Sequence, residues 1–84
     1  MDRSEVNEKV LSILKKYTRK DDVWETASGD SKILEDLQIN SARLVDIMLD
    51  LEDEFDIEID DETMDSIMTI DNAVDAIHAK MKNQ

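Results

Sequence analysis

Cysteine is absent, which rules out disulfides and thiolate metal sites and removes any clue to redox compartment. A single histidine, His78, makes a zinc centre an unsuitable reading. There is no proline and one glycine, Gly29, and no stretch reads as a linker, repeat or low-complexity tract. No apolar run approaches the roughly 18 residues that would span a bilayer. The opening MDRSEVNEKVL lacks the basic-then-apolar order of a signal peptide. The expectation is a cytoplasmic protein without membrane insertion, forming one domain over residues 1–84.

Bases are the other shortage. Ten lysines and arginines face 22 acids, a net charge of −12, and the imbalance is local. Residues 1–29 sum to zero, whereas residues 30–75 sum to −14, with only Lys32 and Arg43 against sixteen acids. Such a field repels nucleic acid and anionic membrane and steers basic partners from a distance. The hydrophobic content of 40% supports a modest core but no enclosed enzyme pocket.

What is present is helical periodicity. Val6, Val10, Ile13, Leu14 and Tyr17 recur at three- and four-residue spacing, with Ser4 as the expected cap. Lys15, Lys16, Arg19 and Lys20 fall at the end of that helix, where cations favour the dipole. Residues 21–39 form a long loop, with ASGDS as its turn and Val23, Trp24, Ile33, Leu34 and Leu37 as anchors. A second helix runs from about residue 41 to 55. Leu44, Ile47, Met48, Leu51 and Phe55 make its apolar stripe, widened by Val45 and Leu49. DIEID at 56–60 is an extended connector burying Ile57 and Ile59. DETMDSIM forms a short third helix capped by Asp60 or Asp61. TIDNAVDAIHAKM forms a fourth, capped by Thr69 or Asp71, with Ile70, Ala73, Val74, Ile77 and Met81 inward. The fold class is therefore all-α: a four-helix bundle of three longer helices and a short third, acting as a monomer.

Two good caps, Asn40 and Ser41, stand side by side before the second helix. If Asn40 caps, Ser41 takes the first helical position, and its hydroxyl has no structural duty there. A phosphate joined to that oxygen would sit at the positive end of a helix. Redundant capping is the competing reading of the pair alone. No histidine or carboxylate neighbours Ser41 in sequence to activate it as a nucleophile, so any activation would have to come from another protein.

Residues 34–77 resemble the acyl carrier proteins. That family carries a Leu-Gly-x-Asp-Ser-Leu turn, an acidic second helix ending Leu-Glu-Glu-Glu-Phe, an Ile-Glu-Ile connector, a short helix, and a Thr-Val-x-x-Ala-Val helix. The corresponding stretches here are residues 37–42, LEDEFDIEI at 51–59 and TIDNAVDAI at 69–77. The resemblance implies covalent 4′-phosphopantetheine from coenzyme A on Ser41, with Asn40 in the recognition turn. It implies acyl groups held as thioesters, in fatty-acid or a specialised lipid or polyketide biosynthesis. The implied partners are a phosphopantetheinyl transferase (a holo-synthase) and basic-surfaced acyl ligases, synthases and acyltransferases. Docking is then expected from Ala42, Arg43, Asp46, Leu49, Asp50, Asp53, Glu54, Ile59 and Asp61. Leu44, Met48, Phe55, Met64 and Met68 are the expected lining of an acyl cavity, methionine being adaptable to irregular volumes.

The pattern is not followed throughout. Asn40 stands where the family has aspartate, Ala42 where it has leucine, and Gln38 where it has the turn glycine. Arg43 adds a cation where an acid is common. These departures bear on recognition by partner enzymes rather than on the fold, and they point to a specialised carrier. An aminoacyl or peptidyl carrier of nonribosomal type is the alternative, since it shares the serine-plus-helix logic.

DLEDEFDIEIDDE is not a calcium loop. Counting from Asp50, the sixth and twelfth positions are Phe55 and Asp61; from Asp56 they are Asp61 and Ile67. No specific metal site is expected. Diffuse cation binding would still relieve carboxylate repulsion. Millimolar magnesium or calcium is therefore expected to raise the melting temperature, and an unchanged calorimetric midpoint would contradict this.

Overall fold

Three of the four helices begin where a side chain takes up an orphan backbone amide, and the second follows a 3₁₀ turn that is itself capped. The computed structural model describes residues 2–18 and 21–82, with helices α1 (Arg3–Lys15), α2 (Leu44–Phe55), α3 (Asp61–Ser66) and α4 (Ile70–Lys82). Short 3₁₀ turns cover Asp21–Glu25 and Ser41–Arg43. The expectation for Arg19 and Lys20 lies outside the described residues.

The first cap is Asp2, not Ser4. Asp2 Oδ1 accepts from the Glu5 amide at 2.9 Å, which leaves Ser4 inside the first turn. Asp60 caps α3, accepting from the Thr63 amide at 2.8 Å. At α4 the cap is reciprocal. Thr69 Oγ1 accepts from the Asn72 amide at 3.1 Å, and Asn72 Oδ1 accepts from the Thr69 amide at 3.1 Å. This is capping-box logic with asparagine in the glutamate's role.

Helix α3 stops two residues short of the expected DETMDSIM, because Ile67 turns extended and goes into the core. The freed Met68 carbonyl then accepts from the Ile33 amide at 2.9 Å, and the Ser31 carbonyl accepts from the Ile70 amide at 3.1 Å. These bonds frame an isolated antiparallel bridge between Lys32 and Thr69. They tie the long loop to the start of α4.

Three helices share one core. Val6, Val10, Ile13 and Leu14 of α1 pack with Ile47, Met48, Leu51 and Phe55 of α2 and with Ile70, Ala73, Val74 and Ile77 of α4. Ile33, Leu37 and Ile39 from the loop, with Ile57 and Ile67, close its edges. Val45 and Leu49 do not widen the α2 stripe inward as expected. They are 57% and 53% exposed, so the inward face of α2 is confined to Ile47, Met48, Leu51 and Phe55.

Two backbone positions carry left-handed conformations without glycine: Gln38 at φ 55° and Asp56 at φ 53°. Asp56 ends α2, its amide reaching the Glu52 carbonyl. Gln38, where the resembled pattern has a glycine, accepts this left-handed backbone at a cost of about 1 kcal/mol. Gly29 is needed for a different reason. A Cβ there would fall 2.3 Å from the Asp71 carboxylate, while the Asp71 amide donates to the Gly29 carbonyl.

The loop between α1 and α2 is anchored at both ends. Trp24 Nε1 donates to Thr18 Oγ1 at 3.1 Å, and Lys15 Nζ stands 5.5 Å from the centre of the indole. Ser31 is buried, and its Oγ accepts from the Ser28 amide at 2.9 Å. Among the described residues no helix is long and apolar enough to cross a membrane.

Candidate functional site

The turn before α2 separates the two adjacent caps into two roles. Asn40 has extended backbone, φ −65° and ψ 131°, and its Oδ1 accepts from the Ala42 amide at 3.0 Å. Its carbonyl accepts from the Arg43 amide at 2.8 Å, closing the 3₁₀ turn. Ser41 therefore begins that turn, and its carbonyl receives the Leu44 amide. Its hydroxyl is exposed and has no hydrogen-bond partner among the described residues. Asn40, Ala42 and Arg43 are exposed as well, so nothing from the adjoining chain closes over the oxygen.

Beside this turn lies a cleft of about 300 Å³ between the long loop, α2 and α3. Leu44, Met64 and Met68 line it, with Ile33, Leu34 and Ile67 completing the apolar wall and Lys32, Glu35 and Asp65 at its polar parts. Met48 and Phe55, expected in this lining, are instead 4% and 3% exposed within the core and are not part of the wall. On α2 Leu44 borders the cleft, whereas Met48 and Phe55, on the same face, lie further along the helix and are buried in the core. The loop residues that replace them were missed because no periodicity runs through residues 30–40. The only signal was the apolar pair Ile33 and Leu34, read as a core anchor.

The acidic face of α2 is not uniform. Tyr17 Oη donates to Asp50 Oδ2 at 2.5 Å, and Lys9 Nζ bonds Glu54 Oε1 at 2.9 Å. Arg43 reaches Asp46 at 3.3 Å. Glu52 accepts from the Ile59 amide at 2.8 Å and so holds the connector. Asp53 has no partner among the described residues, and both Asp53 and Asp61 are exposed; Ile59 is half-buried. Tyr17 was not a sequence-predicted contact, since its helical spacing read as core.

These contacts set the direction of pH dependence. The hydrogen bond to Asp50 comes first among the causes holding the Tyr17 phenol above its ordinary range, followed by burial. The hydrogen bond to Glu54, with its charge, holds the Lys9 ammonium above its own. Both groups favour the protonated form in the fold, so their contribution is complete below about pH 10 and is lost as pH rises through the raised values. Asp60 is the reverse. Its bonds to Thr63 lower it, so its contribution is present at neutral pH and is lost as acid protonates it below the ordinary carboxylate range. Urea titrations from pH 8 to 11 are expected to show stability falling at the alkaline end, less steeply for Tyr17→Phe. Identical slopes for the two proteins would show that the Tyr17–Asp50 bond is not responsible.

Among the described residues no group of three or more acids or histidines is placed to hold a metal ion. The one exposed nucleophile at the head of α2 has no base beside it, which leaves it suited to carry a group rather than to transform one.

Comparison with known proteins identifies the family. Residues 8–77 match the family model described as the phosphopantetheine attachment site. The chain is 38% identical over 77 residues to the mitochondrial acyl carrier protein 2 of Arabidopsis thaliana, covering 92% of this chain but only 60% of that protein. It is 33% identical over 79 residues to the acyl carrier protein of Thermotoga maritima, covering 94% of this chain and 95% of the relative. It is 34% identical over 82 residues to that of Chlorobium phaeobacteroides, covering 95% of this chain and all of the relative. The crystal structure of the Thermotoga maritima acyl carrier protein superposes with a TM-score of 0.78 at 25% identity, covering 99% of this chain and 94% of that one.

Proposed function

We propose, from the premise that this chain belongs to the acyl carrier protein family, that Ser41 is the residue bearing its 4′-phosphopantetheine arm. The family's members are carriers without catalysis of their own, and the arm supplies a terminal thiol on which an acyl group is held as a thioester. The observation carrying the choice of Ser41 is its hydroxyl, exposed and without a partner, because Asn40 alone caps the turn. The small, exposed Ala42 beside it does not crowd a departing tether.

The cleft bordered by Leu44, Met64 and Met68 takes the acyl chain in this reading. Leu44 follows Ser41 by three residues, so the cleft starts within about one helical turn of the attachment oxygen. At about 300 Å³ it is at the small end of ligand pockets. Its methionines can move aside, since a thioether chain is unbranched and repacks cheaply.

Partner enzymes approach with basic surfaces, drawn by the −14 of residues 30–75. The charge sets how often they meet; contacts near the turn set which of them react.

The test is the intact mass after incubation with coenzyme A and a promiscuous phosphopantetheinyl transferase. One phosphopantetheine should be gained, with the modified peptide containing Ser41. A gain on another serine, such as Ser31 or Ser66, would overturn the assignment. Loading with fatty-acyl and with amino-acid ligases then separates an acyl cargo from an aminoacyl one.

A further inference from the structure

Gln38, three residues before Ser41, holds a conformation from which the fold gains nothing. Its φ of 55° is left-handed, a region that glycine occupies without steric cost and glutamine does not. Its side chain is exposed and bonds to nothing among the described residues. The residues on either side are fixed independently of it. Leu37 is buried, with its amide on the Lys32 carbonyl at 3.3 Å, and Ile39 is buried, with its amide on the Leu34 carbonyl at 3.2 Å. Strain kept where the fold does not need the side chain points to a use beyond the fold.

That side chain lines a shallow groove of about 230 Å³ together with Leu34, Ile39 and Asn40. Leu34 also belongs to the wall of the larger cleft beside Leu44, so the groove and the cleft share a side chain. Asn40 directly precedes Ser41. Leu34 and Ile39 are the apolar part of the groove. Its polar part is a pair of carboxamides. Gln38 offers a free donor and a free acceptor, and Asn40 keeps its Nδ2 donor after Oδ1 has capped the turn. Such a lining is complementary to aliphatic carbon interspersed with secondary amides. A phosphopantetheine arm is built in that way, with a gem-dimethyl carbon near its phosphate and two amides before its thiol.

We propose that this groove seats the near half of the arm, with the gem-dimethyl carbon on Leu34 and Ile39 and the Gln38 carboxamide hydrogen-bonded to the first amide. This seat rests on the Ser41 reading, because a tether fixed there starts beside the groove. The groove is smaller than pockets that hold free ligands. A tethered group needs less, since attachment next to a site gives an effective concentration on the order of millimolar. From the seat the arm passes Leu34 toward the cleft. Gln38 is thus a positioning residue for the arm and not a contact for the acyl chain.

The test uses the full chain, isotope-labelled and converted to the holo form by a promiscuous phosphopantetheinyl transferase with unlabelled coenzyme A. Isotope-filtered NOE spectra should connect the arm's methyl protons to Leu34 and Ile39, and the Gln38 side-chain NH2 signals should shift between apo and holo forms. Thermal midpoints give a second readout. The parent should melt roughly 4 °C higher as holo than as apo, the shift that one hydrogen bond gives a chain of this size. Gln38→Gly should raise the apo midpoint by relieving strain, and should lose most of the difference between holo and apo. Gln38→Asn, which tolerates left-handed backbone and keeps a carboxamide, should retain part of that difference. A merely structural glutamine would move both forms equally on replacement by glycine. That outcome, or holo spectra without NOEs from the arm to Leu34 and Ile39, overturns the seat. A parent that gains no phosphopantetheine on Ser41 overturns the Ser41 reading and the seat with it; a gain on Ser41 without those NOEs overturns the seat alone.

Discussion

Replacing Ser41 by alanine is expected to abolish the phosphopantetheine mass gain completely while leaving the fold intact. The two halves of that result have separate causes. Loss of modification follows because the reacting oxygen is removed and no neighbouring hydroxyl can substitute; positions 40, 42 and 43 are asparagine, alanine and arginine. Retention of stability follows because the oxygen does no structural work: it is exposed and bonds to nothing among the described residues. Surface changes of this kind stay within about 0.5 kcal/mol. The comparison that sharpens the test is Asn40→Ala. Asn40 Oδ1 holds the Ala42 amide, so its removal should cost about 1 kcal/mol, yet the Ser41 oxygen remains. A modest fall in thermal midpoint with the mass gain retained is expected for Asn40→Ala; no fall, with the gain lost, is expected for Ser41→Ala. If Ser41→Ala destabilised the protein as much as Asn40→Ala, the division of labour between the two residues would be wrong.

Leu51→Ala should be strongly destabilising, by about 3 kcal/mol. Leu51 is fully buried in the core that α2 shares with α1, where Val10 and Leu14 are themselves completely inaccessible. A cavity there is walled by helices whose other contacts resist collapse, so the lost transfer energy and the void both count. For a chain of this size the whole stability is on the order of 4 to 13 kcal/mol, so the loss takes a large share. In urea the midpoint should drop by roughly 2 to 3 M at an unchanged slope near 1 kcal/mol/M. Leu49→Ala, two residues away and half-exposed, should shift it little. Equal losses at the two positions would mean that α2 is rotated relative to the arrangement described.

Much of the bundle was readable because helical burial repeats. The period in α1 and α4 identified Val6, Val10, Ile13 and Leu14, and Ile70, Ala73, Val74 and Ile77, and these are the buried residues of those helices. Caps were harder. Asp2 and Ser4 are both good caps two residues apart, and only the backbone decides which side chain meets an amide. At Asn40 and Ser41 the same ambiguity mattered more, since the residue that loses the capping role is the one left free to carry a group.

Sequence by itself limited the chemistry this protein can offer. With no cysteine and one histidine, its local order leaves a serine before an acidic helix as the sole prominent handle, because covalent reactivity depends on residue type and immediate neighbours. Tertiary structure alone decided which acids of α2 face outward unengaged and which residues line the cleft. Tyr17 is 33 positions from Asp50 and Lys9 is 45 from Glu54, and the loop that walls the cleft has no period to betray it. Contacts between distant segments arise from packing geometry, which a local pattern does not contain.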